Sequence, residues 1–501
     1  MAADPAVRSP RRSAGLTGFT ERSIRMQLFY RPPLAALGDI IPFHDGKAFR
    51  IFYLRNYRNN MDAEHHDSWD MLTTTDQLHF TSHDTGIDAA TGSVVYDGNV
   101  YHMFATVFKS RPMRNCIIHA TSPDLDRWSV TEDVLWPDGS IYEEVHFRDP
   151  FVFRCEEENN WWMLIAAREK GPTLRRACVG LYKSENLRDW RPCRPLYSPE
   201  DANCAYECPD YFHWGDWYYL VFSSYSDRFQ TLYRMSRSPA GPWIAPERDT
   251  FDTRAFYAAK TASDGQKRYI YGWNPTREID EHHFGPRADF GHDQYTWDWG
   301  GNMVVHELLQ EKDGTLSVRP PESISSALTA DRALDLRPLS GTWTRDGRNF
   351  SVNAGNGYAA ALLGSLPDPC CFRCTVRFQG APAQLGVALS VDDTFSEGYY
   401  AALEPGFCRL QYKTPLRCGR DARIFPFTVE QERPIRLAEE APHRITVFRD
   451  GSVVVIYVDD QVALSTRACD LQGRQIGLFL EGGEAVFSDV SISTAEKEDG
   501  I

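Results

Sequence analysis

The chain has 501 residues, too many for one ordinary domain, so two or three domains are expected. Its formal net charge of −15 argues against nucleic acid and anionic membranes as partners, since both need a positive field. No run of about 18 apolar residues occurs, so no membrane-spanning helix is expected. Hydrophobic content of 42% and aromatic content of 13% supply ample core and favour β structure.

Residues 1–26 are polar and arginine-bearing, with no apolar stretch of the kind a secretory signal needs. A disordered arm and a cytoplasmic protein are expected. From 27 to 322 one unit recurs: a Gly/Asp/Asn turn followed by alternating aromatic and aliphatic residues. Its copies are HDGKAFRIFYL (44–54), YDGNVYHMFAT (96–106), EENNWWMLIAA (157–167), HWGDWYYLVFSS (213–224) and SDGQKRYIYGW (263–273). Each is preceded by a short apolar run and reads as a β-hairpin. A second signal follows several of them, as TTDQLHF (74–80), SPDLDRW (122–128), SENLRDW (184–190) and SPAGPW (238–243), each an outer-strand turn closed by an aromatic. Five copies at a period of roughly 50–60 residues predict a five-bladed β-propeller rather than a generic sandwich. The stretch 283–302 is polar, aromatic and longer than a blade connection needs, and reads as a rim loop.

Residues 323–340 have few aromatics and read as a linker. From 341 to 495 short alternating runs resume, including ITVFRDGSVVVIYVDDQVAL with an Asp-Gly turn, which predicts a β-sandwich packed on the propeller. The 12 cysteines lack metal-site spacing, and the C-x-x-C of Cys371 and Cys374 has no second pair, so buried free thiols are expected. The histidine pairs at 65–66 and 282–283 lack a third positioned ligand. No metal and no cofactor are expected.

In a propeller the first strand of each blade lines the central channel. Three such strands open on a carboxylate: Asp39 in GDIIPF, Asp149 in RDPFVF and Glu207 in ECPDYF. Convergent acids raise one another's pKa, so one can hold a proton while another stays ionised. Cleavage of a glycosidic bond uses that separation of roles. Arg148 would hold Asp149 ionised and oriented. Trp69, Tyr257, Trp273, Trp297 and Trp299 are candidate sugar platforms, each weighed against plain core packing. A small sugar is the expected substrate, and oligomeric state is not readable.

At these residues the chain resembles glycoside hydrolase family 32, the β-fructofuranosidases and related fructosyltransferases. FRDP (147–150) and ECPD (207–210) match two family motifs in order and spacing, and FYAAKT (256–261) followed by YGW (271–273) resembles a third. RPPES (319–323) resembles the segment closing the family's propeller, and SWDMLTTTDQLHF (68–80) its tryptophan-containing stretch. The likeness covers about residues 27–490. It implies retaining double displacement, with Asp39 as nucleophile, Glu207 as general acid/base and Asp149 as transition-state stabiliser. Retention places the first two carboxyls about 5–5.5 Å apart. The family's Asn-Asp-Pro-Asn-Gly is here LGDIIPFHDG, so the flanks that shape the sugar pocket differ. Asp45, the nearest rival to Asp39, sits in a hairpin turn.

The expected reaction is hydrolysis of β-fructofuranosidic bonds in sucrose or short fructo-oligosaccharides. Its alternatives are fructosyl transfer, including difructose anhydride-type chemistry, action on arabinosides or xylosides, and sugar binding without catalysis.

Overall fold

The structure, a computed structural model, describes residues 27–496 apart from 34, 57–67, 111–112, 201–202, 279–290, 415–427 and 472. The expected N-terminal arm and the histidine pairs at 65–66 and 282–283 lie outside the described residues. Five antiparallel blades follow in chain order: I (36–88), II (92–135), III (142–197), IV (206–250) and V (257–319). All five expected hairpins are inner-strand hairpins of these blades. Their turns carry left-handed residues at Gly46, Gly98, Asn159, Gly215 and Gly265, the conformation that glycine and asparagine adopt most readily.

The second signal is a repeated side-chain turn. Thr74, Ser122 and Ser184 each accept a bond from the backbone N–H two residues on. Asp76, Asp124 and Asn186 then each accept from two further N–H groups. Ser, Thr, Asp and Asn substitute for backbone partners in this way at chain reversals. Blade IV differs. After Gln230–Ser236 its outer edge makes only isolated bridges at Ile244 and Thr250. Pro239, Pro242 and Pro246 remove the N–H donors that a full fourth strand would need. Blade V closes on blade I through Leu37 opposite Gly301, reinforced by Met303 N–H to the Tyr30 carbonyl at 2.8 Å.

The C-terminal sandwich is built around the long strand Gln475–Thr494. Its first half pairs with Gln384–Val391 and its second with Cys370–Gln379. Between them Gly482 and Gly483 both take positive φ, 75° and 73°, and let one strand serve two layers.

The segment 323–340, expected as a linker, is built into both domains. It begins inside the helix Glu322–Ser326, and Ala330–Asp331 and Arg337–Ser340 pair with sandwich strands. Ile324 and Leu328, four residues apart, are buried in one cluster with Tyr219 and Val304 of the propeller and Phe448, Val455 and Tyr457 of the sandwich. The two domains therefore share a core. The eleven described cysteines are free thiols. No helix among the described residues is long and apolar enough to cross a membrane.

Candidate active site

Four of the five inner strands share a device that aims their side chains at the axis. Pairing with the second strand slips between Gly38 and Ile41, opposite Arg148–Phe151, between Glu207 and Asp210, and between Tyr257 and Lys260. At each slip one non-glycine residue is left-handed: Asp39 (φ 39°), Asp149 (58°), Cys208 (49°) and Ala258 (52°). Such a residue costs about 1–2 kcal/mol, and bulges of this kind bend the strand and re-aim a side chain. Asp39 and Asp149 occupy the bulge itself. Glu207 stands one residue before its bulge, in register with Arg148 and Tyr257. The three acids thus come from two adjacent positions of the repeat.

Asp39, Arg148, Asp149, Glu207, Cys208, Tyr257 and Trp273 line one cavity of about 440 Å³. Asp39 Oδ1 accepts from the Trp273 indole at 3.3 Å. Burial, then Asp149 and Glu207, raise its pKa to about 7, against the pull of the Lys260 cation and the indole bond. Lys260 is buried outside the cavity lining, its Nζ donating to the Gly92 carbonyl at 2.7 Å. Asp149 Oδ2 accepts from the Cys208 N–H of the next blade at 3.0 Å. Glu207 is held from both sides: Arg148 donates to Oε1 at 2.7 Å and the Tyr257 hydroxyl to Oε2 at 2.7 Å. Its pKa is raised, chiefly by burial and further by Asp149, while Arg148 and Tyr257 oppose the rise.

Arg148 is ion-paired with Asp149, as expected, but does not orient it by a hydrogen bond. Its Nε lies 3.8 Å from Asp149 Oδ2, outside hydrogen-bond reach, and its strong partner is Glu207. The bulge turns consecutive side chains apart, and Cys208 already serves that Asp149 oxygen. His146, which the motif reading left without a role, fixes the guanidinium. Burial and the neighbouring arginines 148 and 168 lower its pKa to about 3. The neutral ring accepts from Arg148 at Nδ1 and donates from Nε2 to the Cys204 carbonyl at 3.1 Å. Its signal was its place two residues before Arg148, on the same strand face.

Of the aromatic candidates, Trp273, Trp297, Trp299 and Tyr257 line the cavity, whereas Trp69 does not. Trp69 is fully buried on the third strand of blade I, packs on Phe52 and donates to the Ala90 carbonyl at 3.0 Å. Third strands do not reach the channel. Tyr257 presents its hydroxyl rather than its face, which Phe229 covers at 4.0 Å. One face of Trp297 is covered by the Arg277 guanidinium at 3.8 Å. A Cβ on Gly38 would lie 2.4 Å from the Trp299 ring, so glycine beside Asp39 makes room for that indole. Phe108, Tyr225 and Asp298 also line the cavity. The motifs pointed to neither Phe108 nor Tyr225, which lie at strand ends, whereas Asp298 falls within the expected rim loop. Among the described residues no cluster of three His, Cys, Asp or Glu has metal-holding geometry.

A propeller that gathers three carboxylates and an arginine in one axial cavity is the architecture of a glycoside hydrolase. Residues 41–320 match the family described as "Glycosyl hydrolases family 32 N-terminal domain", and the chain belongs to that family, whose type is the β-fructofuranosidase. A raffinose invertase of Escherichia coli is 26% identical over 458 residues, 84% of this chain and 85% of the relative. A sucrose-6-phosphate hydrolase of the same organism is 30% identical over 266 residues, and that match spans half the length of each protein. The solved fructan 1-exohydrolase IIa of Cichorium intybus has the same fold, with a TM-score of 0.70 at 14% identity over 93% of this chain and 96% of that one.

Proposed function

We propose that the enzyme hydrolyses non-phosphorylated β-fructofuranosides with retention, Asp39 attacking the anomeric carbon and Glu207 serving as acid and then base. In the first step a bond forms from the Asp39 carboxylate to that carbon. The bond to the leaving oxygen breaks, and the Glu207 proton passes to that oxygen. In the second step Glu207 takes a proton from water, whose oxygen displaces Asp39. Asp149 accepts from sugar hydroxyls and faces the positive charge that develops on the ring. Arg148 and Tyr257 hold Glu207 in place through both steps. The observation that carries the proposal is the convergence of Asp39, Asp149 and Glu207, 168 residues apart along the chain, on one cavity.

Two features favour a neutral leaving group. Phe108, Tyr225 and Trp299 line the cavity and are 57%, 54% and 37% exposed overall, so they can offer apolar faces to sugar C–H groups. Among the described residues lining the cavity the cation is Arg148, and Glu207 engages it. A phosphate would need a cation of its own. Sucrose, raffinose-type sugars and short fructo-oligosaccharides fit this description, as small imported sugars met in a cytoplasmic setting. The test is fructose release from sucrose, kestose, inulin, levan and sucrose 6-phosphate. The neutral short sugars should be the better substrates, and Glu207→Gln should lower kcat by roughly 10²–10⁴-fold. Failure to cleave any of them, or full activity in Glu207→Gln, overturns the proposal. A preference for sucrose 6-phosphate overturns its specificity half.

A further inference from the structure

The rim segment 291–300 carries Trp297, Asp298 and Trp299 into the cavity, and its other end is anchored in the sandwich. Asp293, buried in the segment, accepts from the Tyr399 hydroxyl at 2.6 Å and from the Cys469 N–H at 3.0 Å. The same Tyr399 oxygen accepts from the N–H groups of Asp470 and Leu471 at 2.9 and 3.0 Å. His292 bonds Asp470 at 2.9 Å. Arg277, at the near end of the loop, is paired with Glu430 of the sandwich at 3.0 Å. It also donates to the Asp293 carbonyl and lies 3.8 Å over the Trp297 ring. Asp298 is tied back to Thr276 and Glu278 at 2.7 and 2.8 Å.

The ion pair is nearly solvent-free, with side-chain exposures of 8% and 6%, so it is little screened and geometrically fixed. The propeller's own Thr276 and Glu278 hold Asp298, whereas Asp293, His292 and Arg277 take partners from the sandwich. The loop that bears the indoles is therefore held at one end by the propeller and at the other by groups of the second domain.

We infer that the sandwich sets the shape of the substrate cavity, with Tyr399 and the Arg277–Glu430 pair as positioning residues for Trp297 and Trp299. The inference rests on the reading of this cavity as the site of fructoside cleavage. Tyr399 touches no residue of the carboxylate trio, so its loss should act on substrate fit and leave the chemical step alone.

The experiment compares Tyr399→Phe, Glu430→Gln, Trp297→Ala and the double variant Tyr399→Phe/Trp297→Ala with the intact enzyme. It follows KM and kcat on sucrose and kestose and the melting temperature of each. Where turnover is absent, Kd for kestose by calorimetry replaces KM. Tyr399→Phe should raise KM about three- to tenfold, the worth of one buried hydrogen bond. Its kcat should stay within about twofold, and it should add little further on the Trp297→Ala background, because both act through the same ring. Glu430→Gln should follow the same pattern and keeps the test available if Tyr399→Phe does not fold. Unchanged KM or Kd in both single variants overturns the inference. So does a KM effect that multiplies in full with that of Trp297→Ala, which marks a structural role unconnected to the indole. No turnover by the intact enzyme strikes the catalytic reading instead, and the Kd comparison still decides this one.

Discussion

At the scale of single residues the site is a problem in keeping charge where burial opposes it. As the proposed nucleophile Asp39 must be ionised to attack, yet its pKa is pushed to about 7 by burial and by two neighbouring acids. The chief counterweight is the cation of the buried Lys260. With the ionised form as the attacking one in that proposal, kcat/KM should fall as pH drops through about 7. Lys260→Met removes the cation that favours the carboxylate, so Asp39 titrates still higher and the acidic limb should move to higher pH. A pH profile of kcat/KM for the two proteins measures this, and an unmoved limb assigns the ionisation elsewhere. The Asp and Glu positions were readable because each sits in a short polar break at the head of an apolar strand. Partner choice was not. That Arg148 gives its hydrogen bond to Glu207 while only ion-pairing with Asp149 depends on bulge geometry and on a backbone N–H from another blade, neither of which local sequence encodes. Trp69 was misread for a related reason. A tryptophan in an aromatic motif looks alike on any strand, and only its place as third strand puts it in the core.

At the scale of elements the repeat was legible because its turns have chemical requirements. Left-handed Gly and Asn mark the inner hairpins, and Ser/Thr followed by Asp/Asn marks the outer ones. The outer turns also show why a left-handed residue there need not be glycine. Leu125 and Leu187 have φ 68° and 63° and are almost fully buried, so their side chains plug the core while the preceding Asp or Asn holds the backbone. Asn186→Ala in blade III removes acceptors for the Arg188 and Asp189 N–H groups, at 3.0 and 2.9 Å. By analogy with loss of a helix N-cap it should cost about 0.5–2 kcal/mol. Denaturant unfolding reads the loss, and KM should not move, because the turn lies at the outer edge of the blade. The 323–340 segment was opaque. Its Ser, Ala and Leu resemble a linker in composition, and Ile324 and Leu328 declare themselves only when two domains are present to bury them.

At the scale of the whole molecule the propeller and the sandwich are expected to unfold as one cooperative body, because polar groups as well as apolar ones are satisfied across their boundary. His306 of blade V lies between Asp252 of the propeller at 2.9 Å and the Tyr457 hydroxyl of the sandwich at 2.7 Å. Ser465 of the sandwich donates its N–H to Asp252 at 2.7 Å. Arg467, 4% exposed, reaches from the sandwich to the carbonyls of Asn274 and Pro275 and to Asn302, while its other arm holds Ser452 of its own domain. Asn274 and Pro275 end the strand that bears Trp273, and Arg277 follows two residues later. Arg467→Met keeps the volume and removes every donor, leaving buried carbonyls without it. The expected cost is about 3 kcal/mol or more. Since the lost bonds join the two domains, the effect should show in cooperativity as well as in midpoint. The intact enzyme should melt in a single calorimetric transition, and Arg467→Met should separate into two, with the rim segment released and KM raised before the propeller itself unfolds. A variant that melts lower but still in one transition would mean that the shared apolar core alone couples the domains.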